Sequence, residues 1–212
     1  ICLLGANVFP SPEFVNGEKT MNNAVKNGSK AISAREKILT TAHALFYLYG
    51  IRATGIDKII EQAGVTKVTF YRHFPSKNQL ILAYLDYRHT LWMTWFSDTL
   101  QRQSEAGQAP ATALVATMRQ WWEQPDFRGC AFLNATAEIG DALPEVEQLT
   151  REHKAAVAAE LAGRWPGHET AAVVVALDGA IMHAQMGLPV EAVAAQLAQL
   201  LNALLPAVNR SA

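Results

Sequence analysis

Residues 54–77, Thr-Gly-Ile-Asp-Lys-Ile-Ile-Glu-Gln-Ala-Gly-Val-Thr-Lys-Val-Thr-Phe-Tyr-Arg-His-Phe-Pro-Ser-Lys, constrain the fold of this chain more than any other stretch, because they read as two short helices bent around a glycine. Ile56, Ile59, Ile60 and Ala63 recur at helical spacing and form one apolar stripe. Gly64 follows where the chain must turn sharply, a position at which a left-handed residue is free of a Cβ penalty. Thr66 is placed to cap a second helix that holds Val68, Thr69, Phe70, Tyr71 and Phe74, and Pro75 stops it. Ser76, with Gln79 at the reciprocal position, restarts a third helix as a capping box. Thr54, with Asp57 three residues on, is expected to cap the first helix in the same way. Helix, glycine turn, helix and restart together make a helix-turn-helix, whose second helix is suited to a groove of DNA.

The pattern continues upstream. Ser33 and Glu36 form another capping box, opening a helix with Ile38, Leu39, Ala42, Leu45, Phe46 and Tyr49 on its apolar face and Gly50 at its end. The whole run, from Ile38-Leu39, Ala42, Leu45-Phe46 and Gly50 through Thr54, Ile59, Ala63-Gly64-Val65-Thr66-Lys67 and Phe70-Tyr71-Arg72-His73-Phe74-Pro75-Ser76-Lys77 to Leu80, resembles the N-terminal domain of the TetR family of transcriptional regulators. The resemblance covers residues 33–80. One position departs from it: members often carry a small residue where this chain has Val68, so their base preference does not transfer.

Strand signals are nearly absent, and Gly and Pro fall at the ends of helical stretches. The expected fold is all-α, with helices over 33–50, 55–63, 66–74, 76–102, 111–123, 130–140, 144–165, 169–187 and 190–205. About nine helices is also what the resemblance implies, as an N-terminal three-helix helix-turn-helix DNA-binding domain followed by a helical ligand-binding and dimerisation domain. The expected division is a disordered arm over 1–32, the DNA-binding domain over 33–80 and the second domain over 81–208. Within the arm, Met21 is expected to begin the natural protein, and residues 1–20 to be extraneous to it. Lys26 and Lys30 belong to a solvated tail able to brush DNA.

The net charge of −1 hides an asymmetry. Residues 21–90 hold ten Lys/Arg and four Asp/Glu, whereas residues 91–212 hold seven and thirteen. A basic first part attracts phosphates and an acidic second part avoids them. The two cysteines, Cys2 and Cys130, form neither a disulfide framework nor a zinc spacing, which fits a reducing, cytoplasmic setting. No apolar run reaches the ~18–20 residues of a membrane span.

At the DNA end, reading and positioning roles separate. Lys67, Val68 and Thr69 occupy the first turn of the second motif helix, where lysine can donate to guanine and valine or a threonine methyl can touch thymine. Thr66 is expected both to cap that helix and to meet a phosphate. Arg35, Arg52 and Thr54 are expected as flanking clamps. The resemblance implies phosphate contacts for Tyr71, His73 and Lys77.

For the second domain the resemblance implies a pocket for a small molecule. Trp92, Trp121, Trp122, Phe132 and Met186 supply apolar surface that belongs either to such a pocket or to core; Asn134, Glu138 and His183 are candidates to orient a ligand. Gly129-Cys130 resembles a segment of one branch of the family in which a Gly-Cys pair opens the sixth helix. A thiol there, with Arg128 beside it, points either to a sensor of electrophiles or oxidants or to an inert buried cysteine. The last two helices are apolar on more than one side, and the resemblance implies homodimerisation through them.

An enzyme is the reading with least support. Cys130 could be set with His153 or His183 as nucleophile and base, but the six histidines are scattered singly. There is no His-Glu-x-x-His, no phosphate loop and no Gly-x-Ser-x-Gly, and no metal or cofactor is expected. The expected function is a sequence-specific regulator, a repressor released from an inverted-repeat operator by a small effector. The alternatives are electrophile sensing through Cys130 and constitutive DNA binding without a ligand.

Overall fold

The computed structural model describes residues 32–205, and the expectations about residues 1–20, Met21, Lys26, Lys30 and Cys2 lie outside them. Within the described residues the chain is all helix, in the order α1 (Ala34–Tyr49), α2 (Ile56–Ala63), α3 (Lys67–His73), α4 (Lys77–Glu105), α5 (Pro110–Trp122), α6 (Ala131–Ile139), α7 (Glu145–Arg164), α8 (Thr170–Gln185) and α9 (Val190–Leu204). Two compact units divide between Tyr84 and Leu85, a little beyond the expected boundary at 80/81. The shift has a packing cause: Ile81 and Tyr84, in the first two turns of α4, are buried, and the Tyr84 ring meets Phe46 edge-on at 5.4 Å.

In the first unit, local chemistry sets the helix ends. Ser33 accepts the Glu36 N–H at 3.2 Å, Thr66 accepts the Thr69 N–H at 3.2 Å, and Ser76 accepts the Gln79 N–H at 3.1 Å. Caps of this kind contribute about 1 kcal/mol each. Gly64 takes the left-handed conformation, φ 63° and ψ 37°, so only three residues separate the end of α2 from the start of α3. Ile38, Leu45, Ile59, Phe70 and Leu80 are almost fully buried and join α1, α2, α3 and the start of α4 around one core.

Thr54 departs from expectation. The residue that caps α2 is Gly55, with no side-chain bond, while the Thr54 hydroxyl donates to the Gly50 carbonyl at 2.8 Å. A second contact reaches the Leu45 carbonyl at 3.4 Å, and Thr54 is 1 % exposed. A hydroxyl can serve the carbonyls left open at a helix C-terminus as well as the N–H groups at the next N-terminus. Here burial of the turn between α1 and α2 selects the first.

In the second unit, α5 packs on α9, α7 on both α6 and α8, and α8 on α9. Leu100, Leu114, Met118, Leu161, Val173, Leu177, Val193 and Leu201 form its core. Polar ties fix the register of the helices. Ser97 on α4 donates to Glu160 on α7 at 2.8 Å, Arg164 reaches the Ser97 carbonyl at 3.1 Å, and Thr136 on α6 meets Thr150 on α7 at 2.8 Å. No helix among the described residues is long and apolar enough to cross a membrane.

Candidate nucleic-acid interface and effector cavity

The first unit presents the start of α3 to solvent. Thr66, Lys67 and Val68 are exposed, Thr69 is half-buried, and Val68 shows 70 % of its surface although the neighbouring Phe70 shows none. Val68 is thus open to solvent and accessible to a partner. Tyr71 is 40 % exposed and rests edge-on against Phe70 at 5.2 Å. His73 is half-buried; Arg35 and Arg52 are exposed, and the Arg35 guanidinium lies 5.2 Å from the Phe74 ring centre. Since Gly55 caps α2 without a side chain, the first N–H groups of that helix meet no side-chain cap, a geometry that favours anions.

Lys77 has a structural duty that the sequence reading did not assign. Its ammonium donates to the Ile51 carbonyl at 2.6 Å and sits 6.0 Å from the Phe46 ring centre. The start of α4 is thereby stapled to the turn after α1.

In the second unit, a narrow cavity of about 20 Å³ lies among α4, α5, α6, α7 and α8. Trp92, Trp121, Cys130 and Phe132, all expected at a ligand site, line it together. Trp122, Asn134, Glu138, His183 and Met186 do not. Trp122 is buried outside the cavity, Asn134 is bonded to the Arg128 carbonyl and Gln185, and His183 and Met186 are exposed at the far end of α8. Arg88, His153, Lys154 and Asp178 line the cavity and had not been singled out for a ligand site. Two of them left a trace in the sequence: Arg88 stands four residues before Trp92, and Asp178 is the one acid in the apolar run of α8.

The polar groups in the cavity form one cluster. Lys154 makes an ion pair with Asp178 and places its ammonium 3.5 Å from the Cys130 sulfur. Burial alone would lower the lysine pKa; its contacts with Cys130 and Asp178 outweigh that and hold it above the usual lysine value. The cation beside Cys130 is therefore Lys154. Arg128, expected in that role, donates instead to the Phe127 and Pro125 carbonyls at 2.7 and 3.3 Å. Nor are the histidines all isolated, since His89 and His153 face each other Nδ1 to Nδ1 at 3.0 Å. That contact needs one ring nitrogen to be unprotonated. Burial, with Lys154, His89 and Arg88 as neighbouring charges, pushes His153 down to about 2, so it is neutral. Its ring stacks on Phe132 at 3.9 Å and 8°.

Known proteins resemble this chain along most of its length. Residues 38–84 match the family described as bacterial regulatory proteins, tetR family. A TetR-family transcriptional regulator from Streptomyces coelicolor, known by crystal structure, superposes with a TM-score of 0.67 at 30% identity, over 81% of this chain and 94% of that one. The chain belongs to the TetR family. An uncharacterized HTH-type transcriptional regulator from Mycobacterium tuberculosis is 29% identical over 203 residues, covering 83% of this chain and 98% of its own length. A Bacillus subtilis regulator matches at 29% over 97 residues, 45% of this chain and about half (51%) of that protein. TetR membership makes the chain a DNA-binding transcriptional regulator with its helix-turn-helix in the first unit.

Proposed function

We propose that the protein is a repressor that binds an inverted-repeat operator as a homodimer and is released by a small effector held in the cavity of its second unit. The exposed first turn of α3 carries the DNA part of this reading: Lys67, Val68 and Thr69 are assigned to base edges, and Thr66, Tyr71, His73, Arg35, Arg52 and Lys77 to phosphates. Thr54 is left out, because its buried hydroxyl is engaged within the fold. The dimer part is supported by a groove of about 240 Å³ on α8 and α9, lined by Val175, Gly179, His183, Leu197 and Leu200 among others. Val175 and Leu200 are 73 % and 54 % exposed there, an apolar surface that a second copy would cover. Two recognition helices would then meet half-sites about 34 Å apart. Arg88 and Trp92 of the cavity stand on α4, the helix that continues into the first unit as residues 77–84. An effector that biases α4 between two positions shifts DNA affinity by population, with a coupling of about 1–3 kcal/mol.

Selection of bound DNA from a random library tests the reading. An inverted repeat should emerge, and Lys67→Ala should change the selected bases. Lys77→Ala should weaken binding to every sequence alike, lower the salt slope by about one, and also destabilise the domain by about 1 kcal/mol through the lost bond to Ile51. Recovery of DNA with no preferred sequence would favour a constitutive binder and overturn the proposal.

A second reading rests on the Cys130–Lys154 contact. A thiol within 3.5 Å of an ammonium, at the edge of an aromatic cavity, suits addition to an electrophile: the sulfur forms the new bond, the ammonium gives a proton to the electrophile, and the resulting amine takes up the one the thiol loses. If this route operates, alkylation of Cys130 in the native protein releases DNA; alkylation without release removes it.

A further inference from the structure

Two nucleophilic side chains converge in the lining of the cavity. The Cys130 sulfur and the Lys154 nitrogen lie 3.5 Å apart, and Asp178 holds the ammonium by an ion pair. Cys130 is 4 % exposed, whereas the Lys154 and Asp178 side chains keep 19 % and 26 % of their surface, so the pair is where solvent meets the cluster. Trp92, in the same lining, is 5 % exposed, and its indole N–H meets no acceptor among the described residues. A buried donor of this kind is stabilised by a ligand oxygen.

Volume decides what that ligand can be. The cavity, about 20 Å³, is little larger than the space of about 10–15 Å³ that one water needs, so rings and longer chains are excluded. Water would satisfy Trp92 and leave both nucleophiles idle, and a peroxide would engage the sulfur alone. A carbonyl carbon accepts two nucleophiles in turn, and its oxygen accepts an N–H bond. The 3.5 Å between sulfur and nitrogen closes onto one tetrahedral carbon after a shift smaller than a bond length.

We propose that Cys130 and Lys154 together capture a one-carbon carbonyl compound, formaldehyde, as a methylene bridge between sulfur and nitrogen. This rests on the reading of Cys130 as a thiol that adds to electrophiles, and it names the class of electrophile. The sulfur bonds to the carbonyl carbon as the Lys154 ammonium protonates the oxygen. The freed amine then bonds to the same carbon, and the hydroxyl leaves as water with the proton that the thiol gives up. One thiol, one ammonium and one carbonyl thus yield an S–CH2–NH2+ bridge and one water, and Asp178 keeps a cation as its partner. The test treats the full chain with formaldehyde and follows intact mass and peptic peptides by mass spectrometry. The Cys130 and Lys154 peptides should be joined through one added carbon, at a concentration roughly tenfold or more below that which modifies exposed lysines such as Lys37, because the second bond forms within the molecule. Cys130→Ala and Lys154→Arg, the latter keeping a cation for Asp178, should each lose the joined product. Benzaldehyde, too large for the cavity, should join nothing. If either variant does not fold by circular dichroism, the natural chain with the two aldehydes still decides. Formaldehyde that leaves the two peptides unjoined, or benzaldehyde that joins them as readily, overturns the bridge; iodoacetamide that alkylates Cys130 and releases the selected DNA then keeps the electrophile reading. A bridge that forms without changing DNA affinity keeps the capture site and removes the electrophile reading. Cys130 left unmodified by all three reagents overturns both.

Discussion

Gly129 shows how much one residue can carry. Its φ is 78°, and a Cβ built there would lie 1.8 Å from the Gln185 Oε1 atom. Gln185 in turn donates to Asn134, and Asn134 to the Arg128 carbonyl, so the loop before Cys130 is latched to the end of α8 through a space that only glycine leaves open. Gly129→Ala is expected to destabilise the fold by about 1–3 kcal/mol, through left-handed strain and displacement of Gln185. Urea unfolding checks this, and adding Gln185→Ala should recover only the steric part. The Gly-Cys pair was visible in the sequence as a motif; its partner Gln185 was not, because a contact across 56 positions leaves no local periodicity. Thr54 teaches the complementary lesson. Its spacing to Asp57 suits a cap, yet the same hydroxyl has carbonyls within reach on the other side, and burial of the turn decides between them.

Among the elements, α4 and α7 meet through polar groups in an otherwise apolar interior. His153 on α7 sits against His89 on α4 and against Phe132 on α6, and its charged form is strongly disfavoured. Above the ordinary histidine value of 6.5, folded and unfolded chains both hold this ring neutral. As pH falls below that value, the unfolded chain takes up a proton that the folded chain refuses until about 2. Stability is thus lost on acidification through this group, by at most about 1.4 kcal/mol per pH unit. His153→Phe keeps a flat ring against Phe132 and should flatten the acid limb of stability against pH, measured by urea unfolding from about pH 7 to about pH 4. An unchanged limb would assign the acid sensitivity elsewhere. Helix periodicity and capping located these elements in the sequence to within a few residues. Which polar side chains they would turn toward one another depended on helix packing, and so was not legible.

For the whole molecule, the exposed apolar groove of α8 and α9 is the feature with the largest consequence. Val175 and Leu200 contribute to no core, yet both helices are too apolar for a solvated face. Leu200→Glu is expected to leave helix content and thermal stability of the monomer within about 0.5 kcal/mol, since surface changes of this kind rarely do more. It should shift sedimentation from dimer to monomer and cost most of the affinity for a two-half-site operator. A dimer that persists with Leu200→Glu would place the interface on another surface.

Residues close in the chain decided the all-α class, the helix-turn-helix and the family. Caps, stops and the left-handed Gly64 act within a few positions, and their order survives any later packing. The tertiary structure alone decided what surrounds the cavity. Arg88, Cys130, His153, Lys154 and Asp178 come from three helices and a helix-preceding loop, and each reads as an ordinary side chain in its own segment. Their chemistry arises from mutual distance and from exclusion of water, and both exist only after the helices have packed.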